Sequence, residues 1–459
     1  MNLRKYILLG VLSLGFTACS DSFFNEYPSN SITEGNHFKT DDDFNQGVVS
    51  CYAKLKTEMS FFLNELGYRS DENELISMAV STQDRFDIDH FAENSSNGIL
   101  SSIWNAWYNG IYRCNDVLDH MEGANIKNYD KYRGECLFMR SWWYFNLYRV
   151  FGGVPIARHV VVPSDAKLIP RCSDEEMYTL LSTDLKEAAS LLPDKKSTEV
   201  ARVTSMSAQT LLAKVYLTFG KYSEAKEVLE QAMKNTNYGM LASTAAAFDV
   251  NNKMNKEIIF ALYYNKTNDN GHGYWYSTNT TVLDDISNPT KLFKSIYSDE
   301  DNRLPMIASY EKITSTVYAM KKWYDTYDAT YVTQVGNDFP ILRYADVYLM
   351  YAEALNELGS LNDAIPYLNK TRVRAGLTGL TSSDISTKEA FRQALAEERG
   401  KEFALEGHRW FDLVRLGLAV DYFTSLGYKI DNHNLVFPIP QNQIEIVNNP
   451  SILWQNSGF

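Results

Sequence analysis

The chain has 459 residues, of which 45% are hydrophobic and 22% charged, so its composition is that of a globular protein rather than a disordered one. The formal net charge of −13 disfavours nucleic acid and anionic lipid as ligands, because both are bound by concentrated lysine and arginine. Aromatic residues make up 13% of the chain, with 30 tyrosines and 8 tryptophans. This content is explained either by packing between helices or by a flat surface that stacks on sugars or peptides.

The first 18 residues have the pattern of a cleaved export signal. Arg4 and Lys5 supply positive charge, residues 6–16 form an apolar run, and Ala18 precedes Cys19. The run is too short to span a bilayer, which needs about 20 apolar residues. We expect Cys19 to carry a diacylglycerol anchor as the first residue of the mature chain; the alternative is a plain secretory signal with a chance cysteine. No later segment has 18 consecutive apolar residues, so this anchor is the only expected membrane contact.

The remaining cysteines are Cys51, Cys114, Cys136 and Cys172. Four cysteines are too few for a disulfide framework in a chain of this length, and none has the C-x-x-C spacing of a zinc site. Cys114 and Cys136 are equally distant from Asn125, the centre of a predicted turn. Two antiparallel helices would bring them to the same level, either as a disulfide or as two buried core thiols.

Apolar residues recur at helical spacing through most of the chain, which predicts a mostly α fold. Helical blocks are expected within about 42–235 and 340–416. Between them, a Tyr-, Thr- and Asn-rich stretch of about 238–339 predicts irregular loops with short strands such as 257–263. The predicted helices cover residues 42–56, 103–121, 129–151, 174–192, 205–218, 222–235, 346–358, 361–374 and 388–416.

Two predicted helix pairs share one spacing of small residues. In each pair an alanine lies seven residues before a glycine, and a second alanine lies five residues after it. Small residues allow close helix approach and the glycine ends the first helix, as in tetratricopeptide-like units. The loop-rich stretch separates the pairs, so a regular solenoid is not expected; the hairpin of residues 103–151 is a candidate third unit. The two sets are Ala213, Gly220 and Ala225, and Ala352, Gly359 and Ala364.

The densest charged stretch is residues 394–415. On one continuous helix, Arg399, Glu402, Glu406 and Arg409 would form a single stripe. A functional interpretation makes Glu402, Glu406 and His408 catalytic acids, bases or metal ligands. We favour a structural ion-pair network, because a carboxylate paired with arginine stays ionised and is poor at proton transfer. The chain has no H-E-x-x-H motif, and no metal site is predicted.

Asp71, Glu72 and Glu74 form an acidic cluster that resembles part of a glycosidase site. Three acids within four residues of a loop do not place two carboxylates on opposite sides of a sugar, so a polar binding loop is predicted instead. The chain also has no G-x-S-x-G motif, phosphate-binding loop or dinucleotide fingerprint. The residues therefore offer no catalytic constellation, and neither an enzyme nor a cofactor is predicted.

Two aromatic segments are candidates for a ligand surface. Trp104, Tyr108 and Tyr112 follow i+4 spacing, which is typical of a buried helix face, whereas Trp107 lies off that stripe and could face a ligand. In the loop-rich stretch, Gly271 and Gly273 are followed by Tyr274, Trp275 and Tyr276. These three aromatic residues lie outside any amphipathic helix, so the segment is either an exposed stacking surface or part of the packing.

Eight segments, in order along nearly the whole chain, resemble the SusD/RagB family, the surface nutrient-binding lipoproteins of Bacteroidetes. Together they are far more specific than any one of them. The segments are CSDSFF, WNAWYNGIYRCNDVL, ECLFMRSWWYFNLYRVFGGVPI, VTSMSAQTLLAKVYLTFGKYSEA, FPILRYADVYLMYAEALNELG, LNKTRVRAGL, ERGKEFALEGHRWFDLVR and FPIPQNQIEIVNNPSILWQNSGF.

The resemblance implies a single SusD-like domain over residues 19–459, with four tetratricopeptide-like units and an irregular, loop-rich ligand-binding region. It also implies a lipid anchor on the surface of the outer membrane. The implied partner is a SusC-like TonB-dependent transporter barrel, over which the protein would act as a lid. Ligands in the family are mostly glycans, with peptides in some branches. The rival interpretations are a surface glycoside hydrolase and a protein-interaction scaffold.

The matching segments are scaffold, so no binding residue carries over from the family directly. Family sites use exposed aromatic and polar groups in variable regions, and we combine that analogy with the composition to predict a ligand surface. Its aromatic rings would stack on pyranose faces while Asp71 and Arg85 bind hydroxyls. The predicted ligand-binding residues are Tyr68, Asp71, Arg85, Trp107, Tyr274, Trp275 and Tyr276.

Overall fold

Helices form most of the described chain, which confirms the mostly α prediction. The structure is a computed structural model. The predicted lipidation site Cys19 and the aromatic segment Tyr274–Tyr276 lie outside the described residues. The structure describes residues 38–60, 65–75, 82–195, 201–266, 277–279, 286–287, 290–312, 317–323, 325 and 336–459.

The described residues contain seventeen α-helices, and none of them is both long and apolar enough to cross a membrane. Three 3-10 turns lie at Leu66–Arg69, Lys321–Trp323 and Asn432–Leu435. In chain order the helices are α1 (Asp41–Ser60), α2 (Gln83–Asp89), α3 (Gly98–Met121), α4 (Tyr129–Phe151), α5 (Pro163–Ala166), α6 (Asp174–Leu191), α7 (Ser205–Thr218), α8 (Tyr222–Met233), α9 (Thr244–Ala247), α10 (Lys291–Lys294), α11 (Leu304–Ala308), α12 (Tyr344–Glu357), α13 (Leu361–Arg374), α14 (Lys388–Glu402), α15 (Arg409–Arg415), α16 (Ala419–Ser425) and α17 (Gln441–Val447).

Short local signals set several helix ends. Ser173 caps α6 and exchanges hydrogen bonds with Glu176, which forms a capping box. Gly220 and Gly359 follow α7 and α12 with φ angles of +67° and +86°. Glycine adopts this left-handed conformation without strain, so both helices end where the sequence predicts.

The two predicted helix pairs are α7–α8 and α12–α13, and they lie side by side. Helix α8 packs against α12, and the Tyr351 hydroxyl donates to Glu230 Oε1 at 2.8 Å. The four alanines predicted to allow close helix approach are fully buried. The loop-rich stretch therefore separates the pairs in sequence but not in space. The α3–α4 hairpin joins the same array through α6, which packs against both α4 and α7.

An antiparallel strand pair closes the two ends of the loop-rich stretch. Ile258 pairs with Arg343 and Leu262 with Phe339, and every residue of both strands is buried. The first of these strands confirms the strand expected near residues 257–263. In chain order the strands are β1 (Glu74–Leu75), β2 (Ile258–Leu262), β3 (Ser277–Asn279), β4 (Ile286–Ser287), β5 (Tyr310–Lys312), β6 (Val317–Met320) and β7 (Phe339–Arg343). Strand β2 pairs with β7, β1 with β4, and β6 lies between β3 and β5.

The predicted helix over residues 388–416 is two helices, α14 and α15, joined by a turn. Leu405 and Gly407 have φ angles of +60° and +77°, which an α-helix does not contain. The Leu405 N–H donates to the carboxylate of Glu72 at 2.9 Å, so a contact from a distant segment stabilises the turn. The prediction of one continuous helix, with a single charged stripe from Arg399 to Arg409, is therefore wrong.

The charges of this segment nevertheless form a buried ion-pair network, as the structural interpretation predicts. Glu402 pairs with Arg303, Arg343 and Arg374, and Glu406 pairs with Arg343. Burial alone would raise the pKa of Glu402, but the three guanidinium charges outweigh burial and hold the pKa well below its usual range. The Glu402 carboxylate therefore stays ionised and is unsuited to proton transfer.

Cys114 and Cys136 lie together in the α3–α4 hairpin, as their equal distance from the turn predicts. Both are fully buried, and both are free thiols whose Sγ atoms lie within 4.8 Å of each other. The structure therefore agrees with the core-thiol interpretation and not with the disulfide.

Candidate ligand-binding face

The candidate site lies where residues 65–90 meet the loop-rich stretch; we call this region the candidate face. Strand β1 pairs with β4, with Glu74 opposite Ser287. The Thr290 hydroxyl donates to the carbonyl of Asp71 at 2.7 Å across 219 residues of sequence. These contacts bring residues 65–90 together with the loop-rich stretch, as the predicted ligand surface requires.

Tyr68 and Arg85, two of the predicted ligand-binding residues, are neighbours on the candidate face. The Arg85 guanidinium carbon is 5.9 Å from the centre of the Tyr68 ring. Arg85 also donates to both carboxylate oxygens of Glu65, at 2.8 Å from Nε and 2.6 Å from Nη2. A bidentate pair of this kind holds its guanidinium in a fixed plane. Because the Arg85 and Glu65 side chains are 28% and 14% exposed, they present a fixed polar edge to solvent.

The Tyr68 hydroxyl is available as a hydrogen-bond donor. Burial raises the pKa of Tyr68 to about 12, so the phenol stays protonated at neutral pH. Its side chain is only partly buried and packs against the hydrophobic core. Tyr68, Glu65 and Arg85 therefore combine an aromatic ring with groups that can donate to and accept from sugar hydroxyls.

Asp71 does not belong to an exposed binding loop, which corrects its predicted role. It is 6% exposed, and its two carboxylate oxygens accept from Arg409 at 2.8 Å and 3.1 Å. The Tyr422 hydroxyl donates to the same carboxylate at 2.6 Å. Arg409 and Tyr422 belong to the C-terminal helices, so Asp71 joins the candidate face to the scaffold and has little capacity left for a ligand.

Glu72 also joins the candidate face to the scaffold, through hydrogen bonds rather than an ion pair. It is 2% exposed, and it accepts the N–H of Leu405 through Oε1 at 2.9 Å. Its backbone carbonyl accepts the N–H of Thr290 at 3.1 Å. Burial, with a smaller contribution from the Asp71 carboxylate, raises the pKa of Glu72 to about 8 although the Leu405 N–H lowers it. Glu72 is therefore largely protonated at neutral pH.

The raised pKa of Glu72 predicts a pH-dependent effect of Glu72→Gln on stability. The folded protein binds this proton more tightly than the unfolded chain, whose glutamate titrates near 4.5. The folded state of the wild type is therefore penalised progressively as pH rises from about 4.5 to about 8, and glutamine escapes that penalty. We expect the unfolding free energy of Glu72→Gln, taken relative to that of wild type, to be about 1–4 kcal/mol higher at pH 9 than at pH 5.

Urea unfolding at both pH values measures this difference. Glu389→Gln is the matched control, because Glu389 is an exposed glutamate of α14 and its substitution should leave the difference from wild type nearly constant with pH. A Glu72→Gln curve parallel to wild type across the range would show that this carboxyl is not held protonated in the folded state.

Trp107 is buried, which corrects the expectation that it faces a ligand. Only 3% of its surface is exposed, compared with 0% for Trp104 and 1% for Tyr108 on the neighbouring stripe. Helix α3 packs against α1, α2 and α4, so neighbours cover more than one of its faces. Trp104, Tyr108 and Trp107 therefore belong to the core, whereas Tyr112 is only half-buried. Trp107 leaves the candidate site.

The predicted aromatic residues Tyr274, Trp275 and Tyr276 lie outside the described residues, and their role in ligand binding stays a prediction. The segment immediately precedes β3, which pairs with β6.

Beside β2 lies an open pocket of about 280 Å³ that the sequence analysis did not identify. Its lining includes Tyr52 and Lys56 of α1, Arg202, and Tyr263 at the end of the strand. Tyr263 is 39% exposed, and the Lys253 ammonium lies 4.5 Å from the centre of its ring. In the sequence, the signal for this pocket is Tyr263, an aromatic residue at the point where a buried strand enters the loop-rich stretch. The pocket offers a second aromatic and cationic surface on the irregular side of the molecule.

Two family models match the chain. The model described as "Starch-binding associating with outer membrane" matches residues 24–217, and the model described as "SusD family" matches residues 300–459. Together they span most of the sequence and both of its helical blocks.

Individual relatives agree with these models. SusD-like protein P2 of Formosa agariphila is 26% identical over 100% of both chains. Starch-binding protein SusD of Bacteroides thetaiotaomicron is 24% identical over 76% of each chain. Among solved structures, surface glycan-binding protein A of Bacteroides thetaiotaomicron in complex with laminarihexaose has a TM-score of 0.73 at 21% identity, over 91% of this chain and 99% of that one. At such identity the structural match concerns the fold alone.

Proposed function

Because the chain belongs to the SusD/RagB family, we propose that it is a surface lipoprotein of the outer membrane that captures oligosaccharides and delivers them to a SusC-like TonB-dependent transporter. The observation that carries the proposal is the match over 76% of the length of a relative named Starch-binding protein SusD. The family model described as "Starch-binding associating with outer membrane" supports a glycan as the ligand. The protein would bind without transforming its ligand.

The chemistry of the candidate face favours binding over hydrolysis. Glycoside hydrolysis uses two carboxyl groups about 5–10 Å apart across the sugar. The buried acids of the candidate face are engaged in the fold: Asp71 pairs with Arg409, Glu72 holds the Leu405 turn, and Asp89 accepts the Leu75 N–H at 3.0 Å. The Glu65 carboxylate is paired with Arg85. Each of these acids already has a partner within the fold, which favours a supporting role over catalysis.

We assign ligand contact to Tyr68 and Arg85 together with Tyr274, Trp275 and Tyr276. Tyrosine and tryptophan rings stack on the apolar face of a pyranose, while their polar edges donate hydrogen bonds. The Arg85–Glu65 pair would supply both donors and an acceptor for hydroxyl groups. A partly preorganised surface of this kind suggests micromolar to millimolar affinity, roughly −8 to −4 kcal/mol.

Calorimetry with maltohexaose and laminarihexaose on the purified mature chain tests the proposal. We expect wild type to bind at least one of the two glycans, and Trp275→Ala combined with Tyr276→Ala to abolish measurable binding. Arg85→Gln should weaken binding by about tenfold, since about 1.4 kcal/mol is the order of a hydrogen bond to a charged group.

Trp454→Ala is the matched control, because Trp454 is an aromatic residue near the C-terminus with 45% exposure. It should bind like wild type. Unchanged affinity in the Trp275 and Tyr276 double variant would remove that segment from the site. If the wild type bound peptides and no glycan, the peptide-binding alternative would replace the glycan proposal.

A further inference from the structure

Three cysteine side chains from three different helices meet in the core. Cys51 lies on α1, Cys114 on α3 and Cys136 on α4, and each is fully buried. Their three Sγ atoms all lie within 4.8 Å of one another. Among the described residues, this is the one cluster of three or more histidine, cysteine or acidic side chains whose ligand atoms approach each other so closely. We call it the thiol triad.

The triad has the dimensions of a trigonal metal site. Thiolates bind zinc at about 2.3 Å, and three sulfurs at that distance in a plane around one ion lie about 4 Å from each other. The observed limit of 4.8 Å includes this separation. Small side-chain rotations would therefore suffice to place all three sulfurs around one ion.

The ligand set favours a soft ion that accepts three sulfurs. Thiolates select Cu(I), zinc and iron–sulfur clusters, but structural zinc sites are almost always tetrahedral with four protein ligands. The fourth described cysteine, Cys172, is only partly buried and does not belong to the cluster. We propose that the thiol triad binds a single Cu(I) ion through Cys51, Cys114 and Cys136.

The net charge of the complex determines how many of the three thiols would lose a proton on binding. Each sulfur that binds as a thiolate releases one proton, so an ion of charge +1 with one thiolate gives a neutral complex and each further thiolate adds a negative charge. A net charge is costly in an apolar interior, so the least charged complex is favoured.

Binding would join α1 to the α3–α4 hairpin. Helix α1 already packs against α3 and α4 with Phe44, Val48 and Leu55 buried in the core. Polar contacts lie near its start and along its side: Asn128 Nδ2 donates to Asp41 at 2.8 Å, and the Val203 N–H donates to the Tyr52 hydroxyl at 3.0 Å. An ion at Cys51 would add a link at the centre of the helix. The metal site does not depend on the proposed function. Only the statement that α1 follows a membrane tether depends on it.

Anaerobic titration of the reduced mature chain with Cu(I), against a chromophoric Cu(I) chelator, tests the proposal. Because the triad is buried, the protein is refolded from urea in the presence of the ion. We expect one Cu(I) per chain to be retained, with sulfur-to-copper charge-transfer absorption and a raised melting temperature. X-ray absorption at the copper edge should show sulfur ligands at about 2.3 Å.

Cys51→Ala should lose the retained ion, and Cys172→Ala should keep it as the matched control. Circular dichroism checks that Cys51→Ala is folded, and the X-ray absorption of wild type provides a readout that needs no variant. No retained copper, nitrogen or oxygen ligands in place of sulfur, or full retention by a folded Cys51→Ala would overturn the proposal. A disulfide within the triad of the purified, unreduced protein would do so as well. Glycan binding is measured separately, so either proposal can fail without the other.

Discussion

Glu402→Ala should remove about 3–5 kcal/mol from the unfolding free energy, the cost typical of breaking a buried ion pair from one side. Glu402 is 1% exposed at the end of α14. It pairs with Arg343 at 2.6 Å, with Arg303 at 3.1 Å and with Arg374. Without this carboxylate, three guanidinium groups would keep their charge in a dry environment with less compensation.

The position of Glu402 explains why one carboxylate has so large an effect. Arg343 ends β7, Arg374 ends α13, and Arg303 lies within the loop-rich stretch. Glu257, next to β2, supports the same arginines through Arg343 at 3.1 Å and Arg374 at 2.7 Å. The network therefore connects the helical array to the irregular part of the molecule, and its loss should weaken the support of the candidate face.

Urea unfolding at pH 7 measures the effect, with Glu402→Gln and Glu397→Ala for comparison. Glutamine keeps the shape and part of the hydrogen bonding but not the charge, so the Glu402→Gln protein should also be less stable than wild type. Glu397 lies on the same helix, but its side chain is 53% exposed and its pair with Lys401 is an i,i+4 pair. Its removal should cost less than about 1 kcal/mol. A Glu402→Ala protein as stable as Glu397→Ala would show that the network contributes little net stability.

The sequence predicted helices well because helix formation depends on a local period. The helices at residues 129–151, 205–218 and 361–374 have the predicted bounds, since apolar spacing and turn residues are local signals. The helix pairs were also predictable, because close approach requires small residues at fixed intervals. The break between α14 and α15 was not, because Leu405 is held in its turn by Glu72, 333 residues earlier in the sequence.

The candidate face was harder to predict than the scaffold, for the same reason. Asp71 lies in a segment with the composition of a binding loop, but its carboxylate is paired with Arg409, 338 residues later in the sequence. Trp107 lies off the main apolar stripe of α3, yet neighbours also cover that side of the helix. Only Tyr68 and Arg85 among the described predicted residues lie together at an exposed edge. Burial by partners distant in sequence leaves no local pattern, so such residues need a structure to be assigned.

Cys19→Ala should release the protein from the membrane fraction while leaving its ligand affinity unchanged. Each buried methylene contributes about 0.8 kcal/mol, and stable anchoring needs two lipid chains or one chain with a basic patch. The diacylglycerol expected on Cys19 supplies two chains. The net charge of −13 gives the protein body no electrostatic attraction to an anionic surface. The expected release therefore rests on the proposed lipid anchor.

Cell fractionation and uptake of a labelled oligosaccharide measure the two consequences in one strain. We expect nearly all of the Cys19→Ala protein to leave the membrane fraction, and uptake to fall toward that of a strain lacking the protein. Under the proposed function the protein would be a lid that must stay near its transporter, and a tether would keep its local concentration high even when the lid is open. Cys172→Ala is the matched control, since this cysteine lies far in sequence from the predicted export signal and its substitution should leave both anchoring and uptake unchanged. Normal uptake by Cys19→Ala would mean that contact with the transporter alone retains the protein, and the anchor would then have no part in the mechanism.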